Sequence, residues 1–443
     1  MSQVCSSWRN SILLSPNLWG QVVNFNRLGH PEWRNEVLRR TRDASLFLYG
    51  DVVDDGDGEI STILINNWQR ICRLELRLVG FTYHDKIRNN ERLWETLGSC
   101  SPSIEVFALW FFNYASRENK MIELGPRDQI ISPRSFRLFG GYAPCLSRYD
   151  SPNIRFDTSP GILTSRLQHL RLEQPSNANE ILNTIICIPT LVTLSVSHLD
   201  SSENLTLPRR TKDSRVFHTK LQRIELMEPM NHNAYIILLS SIEPAENHSL
   251  IIHCCQALAA QNTEAQVAQI GDILYRYASL ASKSIAAAIE STLWIENQTF
   301  QIFWKGPGSE YNIQISDPAP QHSFSLSLLR RFPIPGGNCV REVYLILQVD
   351  TNFYSSVFET LAPVFMSVKK LSAPERFFLY MADLSEQRFV SAFPKLETIV
   401  VKYSWDGNGG DNDSEVSRYV FRRKEMGMLV PTVLPLVVNL QYL

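Results

Sequence analysis

The hexapeptide Ile71-Cys72-Arg73-Leu74-Glu75-Leu76 reads apolar-x-x-apolar-x-apolar. The same phrase returns as IEVFAL (104–109), LQHLRL (167–172), LVTLSV (191–196), LQRIEL (221–226), VREVYL (340–345) and LETIVV (396–401), with weaker forms at 133–138 and 368–373. Copies that follow directly are about 24–34 residues apart, the spacing of strand-plus-helix repeats. Period-two alternation turns the apolar residues toward one face of a short strand. One such strand cannot bury that face alone, whereas copies set side by side form a parallel sheet over a continuous core. The expected fold class is α/β, an irregular solenoid of parallel strands with outer helices.

Between the strands the apolar spacing becomes helical, at 92–98, 180–188, 235–242, 355–365 and 384–393, which predicts short amphipathic helices on the outer side. Pro189 and Pro394 stop two of them just before the next strand. The longest interval without a good copy, 226–340, holds a predicted helix over 265–288. Strands at 300–304 and 311–315 follow it, joined by the turn sequence Lys305-Gly-Pro-Gly-Ser-Glu310, with a third strand at 324–328. We expect a local antiparallel elaboration of the sheet at about 262–330. Residues 142–161 and 51–59 read as an irregular loop and an acidic turn, and the charged segment 417–426 as a final helix.

The chain has 443 residues, 44% hydrophobic and 20% charged, with a formal net charge of −2. That balance suits a folded core, and it provides no global basic surface for nucleic acid or an anionic membrane. No uncharged apolar run reaches the roughly 18 residues of a membrane span; the apolar run 428–440 is shorter and carries Pro431 and Pro435. The eight cysteines show no Cys-x-x-Cys spacing. With no signal peptide at Met1, reduced thiols and a cytoplasmic or nuclear location are expected.

The N-terminus carries a second pattern. Val4-Cys5-Ser6-Ser7-Trp8-Arg9 leads to Ser15-Pro16-Asn17-Leu18-Trp19, with Val4, Trp8, Ile12 and Leu13 at helical spacing. Pro16 ends the helix and Leu18 and Trp19 follow on a turn. This resembles the second half of the F-box in fungal F-box-like proteins, V-C-x-x-W-R followed by S-P-x-L-W. The segment 37–48 resembles the helix, loop and strand that come next in that family, with Ala44-Ser45 replacing the usual proline. The family's opening Leu-Pro-x-Glu-Ile-Leu segment has no counterpart before Val4, so the expectation is either a truncated start or a protein that has lost part of the adaptor-binding surface. The repeats resemble leucine-rich repeats, without the usual Asn after the strand: Pro175, Leu199 and Pro229 stand there. The expected organisation is a partial F-box-like segment with its linker over 1–50 and a leucine-rich-repeat-like solenoid over 51–443.

Motifs for chemistry are missing. The nine histidines show no His-x-x-x-His, and there is no nucleophile elbow and no phosphate loop. Adjacent thiols at Cys254 and Cys255 point to opposite strand faces and do not make a metal site. No enzyme, cofactor or metal is expected. Binding is the remaining class. The residues between the inward-pointing positions line the open face of the sheet, and Arg77, Trp110, Arg171, Glu173, Glu225 and Tyr344 are the candidate substrate contacts. Trp110 could instead be buried, since Phe111 and Phe112 follow it. The resemblance implies a substrate-recognition subunit of a Skp–cullin–F-box ubiquitin ligase. Val4, Trp8, Leu13, Pro16, Leu18 and Trp19 would hold the Skp-type adaptor and the sheet would hold an unidentified protein. The alternative is a free-standing repeat scaffold without a link to ubiquitin, in which Trp8, Leu18 and Trp19 belong to a helix capping the core.

Overall fold

The computed structural model describes residues 6–53, 59–79, 91–114, 121–123, 132–133, 136–152, 154–156, 165–172, 177–197, 216–217, 220–227, 232–243, 245, 248–254, 264–285, 290–296, 299–306, 309–316, 341–346, 355, 358–359, 366–402 and 413–436. It is an α/β structure that divides into two compact units, Met1–Leu221 and Gln222–Leu443.

In the first unit, strands β1 (Val23–Asn24), β2 (Leu46–Val53), β3 (Ile71–Val79), β4 (Val106–Tyr114), β6 (Arg148–Asp150), β7 (His169–Leu172) and β8 (Thr193–Val196) pair in parallel, each with the next named. The three-residue β5 (Met121–Glu123) runs antiparallel to β4. The register explains the hexapeptide. Leu48, Leu74, Phe107, Tyr149, Leu170 and Leu194 are paired in one line across six strands, and all are buried. Each fully buried leucine contributes about 1.5–3 kcal/mol of transfer free energy, so the alternation dictates which face of the sheet turns inward. The helices of this unit are α1 (Ser6–Leu13), α2 (Pro16–Gly20), α3 (Pro31–Thr41), α4 (Glu59–Asn67), α5 (Glu91–Leu97) and α6 (Ala178–Cys187). A full capping box starts α6: the Asn177 side chain accepts from the Glu180 amide at 2.9 Å, and Glu180 accepts from the Asn177 amide at 3.1 Å. Its residues Ile181, Leu182 and Ile185 are fully buried.

Several sequence expectations are corrected here. Pro16 does not lead into a turn: it is the first residue of α2, where its missing N–H costs nothing and its fixed φ suits a helix. Of the weak copy at 133–138, residues 134 and 135 lie outside the described residues, and Leu138 opens a 3-10 turn, Leu138–Gly141, in which Phe139, Gly140 and Gly141 take positive φ. The strand of that repeat is β6, inside the segment read as an irregular loop. Asp51 belongs to β2 and not to the acidic turn. The weak copy at 368–373 does enter a strand.

In the second unit the sheet runs β10 (Arg223–Met227), β12 (Ser249–Cys254), β15 (Ser309–Ser316), β14 (Thr299–Gly306), β13 (Glu290–Glu296), β16 (Glu342–Ile346), β17 (Lys370–Pro374), β18 (Thr398–Lys402) and β19 (Thr432–Leu436). Only the pairings of β14 are antiparallel in this order. The expected hairpin is therefore inserted within the sheet, and its third strand is β13, which precedes it. The strand expected at 324–328 lies outside the described residues, as does most of the helix expected at 355–365. Two short strands, β9 (Val216–Phe217) and β11 (Ile242–Glu243), lie outside these sheets. The described helices of this unit include α7 (His232–Ser241), α8 (Glu264–Ile285), α9 (Glu375–Ala382), α10 (Glu386–Ser391) and α11 (Asp413–Glu425). The expected amphipathic character of α7 is not found: Ala234 to Leu239 are all buried, and α8 packs against the helix.

Arginines terminate helices where glycine is absent. After α3, Arg70 donates to the Thr41 hydroxyl at 2.8 Å and to the Ala44 carbonyl at 3.0 Å. After α7, Arg276 donates to the carbonyls of Leu239 and Ile242. After α9, Arg422 donates to the carbonyls of Ala382 and, at 2.6 Å, Leu384. The buried Arg423 donates to the carbonyls of Leu429 at 2.9 Å and of Phe393 at 3.1 Å, the latter a residue of positive φ. Leu239 and Ala382 offer carbonyls from the last turn of their helices, whereas Ala44, Ile242, Leu384, Phe393 and Leu429 follow helix ends.

Among the described residues of the second unit, β18 is the strand paired with β19. The Thr432 amide donates to the Glu397 carbonyl at 2.9 Å, so the amides at 432, 434 and 436 face β18 and those at 433 and 435 face away from it. Residue 435 is proline and offers no N–H there, which blunts that side against strand addition.

Candidate protein-binding surfaces

The N-terminal surface is built by α1 and α2. Trp8, Leu13 and Leu18 are exposed, Trp8 at 68%, together with Ile12 and Leu14. Pro16 and Trp19 are half-buried, and Val4 lies outside the described residues. Trp19 is the fixed point. Its indole N–H donates to the Leu13 carbonyl at 3.4 Å, and the Arg40 guanidinium lies over its ring at 4.9 Å. Arg40 is held in turn by Glu36 at 2.7 Å, which also bonds Arg39. Those hydrogen bonds, from Arg39 first and then Arg40, pull the Glu36 carboxyl down to about 2. Trp19 thus docks α2 on α3 and leaves the apolar side chains of α1 facing outward, a clustering that marks an interaction site.

The second surface is the outward face of β2 to β8. Its register aligns Tyr49, Glu75, Ala108, Asp150, Arg171 and Ser195 in one row, and Asp51, Arg77 and Trp110 in the next. The flanking row holds Arg73, Arg148 and His169. Trp110 is half-buried on this face with the Arg77 guanidinium 5.8 Å from its ring centre, while Phe111 points into the core. Arg77 lies 4.0 Å from Asp51. The Asn26 side chain accepts from the Asp51 amide and donates to its carboxylate at 3.4 Å. This approach requires Gly50 beside it: the residue sits at φ 116°, and a Cβ there would stand 2.8 Å from the Asn26 side-chain oxygen.

Asp150 is the buried anion of the face. It accepts from Arg148 at 3.1 Å and pairs with Arg171 at 3.8 Å. Arg73 pairs with Glu75 at 2.5 Å. Loss of solvation and then the Arg148 cation keep His169 below the ordinary histidine range. Of the expected contacts, Arg77 and Trp110 meet directly and Arg171 joins them on the same face, while Glu173 lies outside the described residues. Asp51, Arg148 and Asp150 were missed because their segments read as turn or loop. The signal was the in-register position opposite Arg77 and Arg171.

Glu225 and Tyr344 belong to the second unit. Glu225 pairs with Arg223 at 2.5 Å. The Tyr344 hydroxyl donates to Glu342 at 2.6 Å and accepts from Lys370 at 3.0 Å, and Lys370 also reaches Glu342 at 3.2 Å. Burial and the Glu342 carboxylate push the Tyr344 phenol up, and the bond to Tyr344 leads in raising Lys370.

Among the described residues, no three or more His, Cys, Asp or Glu side chains are grouped to hold a metal ion. None of their helices is long and apolar enough to cross a membrane. No protein-family model and no curated protein matches this chain.

Proposed function

We propose that this chain is a non-catalytic substrate-recognition subunit of a Skp–cullin–F-box ubiquitin ligase, with an irregular leucine-rich-repeat-like solenoid presenting its sheet to a substrate protein. The observation that carries the reading is the exposed apolar side of α1 and α2. Of the V-C-x-x-W-R and S-P-x-L-W pattern, Trp8 and Arg9 fall on α1 and Pro16, Leu18 and Trp19 on α2, and Trp8, Leu13 and Leu18 face solvent instead of closing a core. A helix that merely capped the unit would bury them. The adaptor takes this surface, and the ligase core supplies the chemistry.

A free-standing scaffold is the second reading, favoured by the Arg77–Trp110 face, which involves neither α1 nor α2. Co-expression of the chain with a Skp-type adaptor separates the two. The pair co-elutes on size exclusion, and Trp8→Ala/Leu18→Ala abolishes co-elution without lowering the melting temperature. A chain that elutes alone, beside a control F-box protein that binds the same adaptor, overturns the ligase reading and leaves the scaffold.

A further inference from the structure

The described side chains of α1, residues 8–13, are all exposed, so their burial does not fix the helix. Its eight residues also fall short of the roughly 12–15 at which an isolated helix holds. α2 is five residues long. The Trp19 indole joins the two, since its N–H donates to the carbonyl of Leu13, the last residue of α1. α2 itself is seated at two points. Gly20 is buried, and a Cβ there would collide with the Ser45 carbonyl oxygen, so the backbone approaches that segment closely. Trp19 is the second point.

Trp19 is set from α3. The Arg40 guanidinium over its ring belongs to the inner of two arginines: the Arg40 side chain is 28% exposed and that of Arg39 72%. Glu36 holds both. Arg39 grips it with a fork, 2.7 Å and 2.8 Å to its two oxygens, and Arg40 bonds Oε1 at 2.7 Å. A long side chain with many rotamers is thereby kept in one orientation over the indole. Contacts then run without a break from Arg39 through Glu36, Arg40 and Trp19 to the end of α1.

From this chain of contacts we infer that Glu36 and Arg40 are positioning residues for the partner surface of α1 and α2. They fix Trp19, and through Trp19 the direction in which α1 presents Trp8 and Leu13. The inference deepens the proposed function and rests on its reading of that surface as the adaptor site. Neither residue needs to touch the adaptor.

The test uses the full chain and two readouts. Hydrogen exchange at millisecond labelling times follows residues 6–14 with no partner present, and titration with a Skp-type adaptor gives the affinity. Arg40→Met and Glu36→Gln each speed exchange over 6–14 at least fivefold, while exchange in β3 and β4 and the melting temperature stay at the parent values. Each also weakens the adaptor at least fivefold. Arg40→Lys keeps the charge without the planar stack and recovers part of both effects. Trp19→Leu/Arg40→Met binds no more weakly than Trp19→Leu alone, as residues that act through one another require. Full additivity makes Arg40 an adaptor contact and overturns the positioning role. Unchanged exchange over 6–14 in both single variants overturns the inference. So does faster exchange that extends into β3 and β4 with a lowered melting temperature, which is a merely structural effect. If the parent chain fails to bind an adaptor that a control F-box protein binds, the ligase reading alone is removed, and exchange decides the inference by itself.

Discussion

The Arg276 guanidinium stands 2.5 Å from the Leu239 carbonyl oxygen and 3.1 Å from that of Ile242, closing the end of a helix that is buried all round. The neighbouring Tyr277 hydroxyl donates to the same Leu239 carbonyl at 3.0 Å. Hydrogen bonds from a charged donor contribute about 1.5–3 kcal/mol each. Arg276→Met is expected to cost about 2–3 kcal/mol in urea unfolding, since Tyr277 still serves one carbonyl. Arg276→Lys recovers only part of it, because an ammonium cannot span both oxygens as a fork does. A loss below about 0.5 kcal/mol would show that these carbonyls need no arginine.

His248 is buried against Tyr277, with ring centres 5.0 Å apart. Burial pushes its imidazole down to about 3, while the unfolded chain titrates near the ordinary histidine value of about 6.5. Between those values the unfolded state binds a proton that the folded state does not, so stability is fully present above about pH 6.5 and falls as the pH drops toward 3. At pH 5 the loss is about 2 kcal/mol relative to neutral pH. Urea midpoints at pH 7.5 and 5.0 test this. His248→Phe narrows the difference between them, and an unchanged difference assigns the acid sensitivity elsewhere.

Pro435 lies on the side of β19 turned away from β18. Val433 and Leu434 are exposed there, so the strand would be adhesive if its outer amides were complete. Pro435→Val restores an outward N–H and is expected to raise the weight-average mass in sedimentation equilibrium above that of the parent at equal concentration. Equal masses would mean that the exposed side chains, and not the edge amides, control association.

The parallel strands were legible wherever two leucine-like residues alternate, as at Leu74 and Leu76 or Leu170 and Leu172, because period two belongs to strands alone. β6 escaped because its three residues place only Tyr149 inward, too little for any periodicity. Asp51 was hidden by its acidic neighbours, and its strand character comes from pairing with Arg77, a tertiary fact. α7 reads as amphipathic until α8 supplies the cover for its other side. For the candidate surfaces, sequence alternation puts Arg77, Trp110 and Arg171 on one face, and the register aligns them so. Alternation could not show that Asp150 lies beneath them, since depth depends on how neighbouring strands pack.

The arginines that finish α3, α7 and α9 come from 26 to 40 residues further along the chain. During synthesis each of these helices therefore leaves the ribosome before the arginine that bonds at its C-terminal end. At about 5–20 residues per second, completion waits roughly one to eight seconds for the closing side chain to emerge. The protein is thus sealed in arrears, each helix end by a later stretch of chain, and a pause in translation just before Arg70, Arg276 or Arg422 would prolong the interval in which the preceding helix can fray.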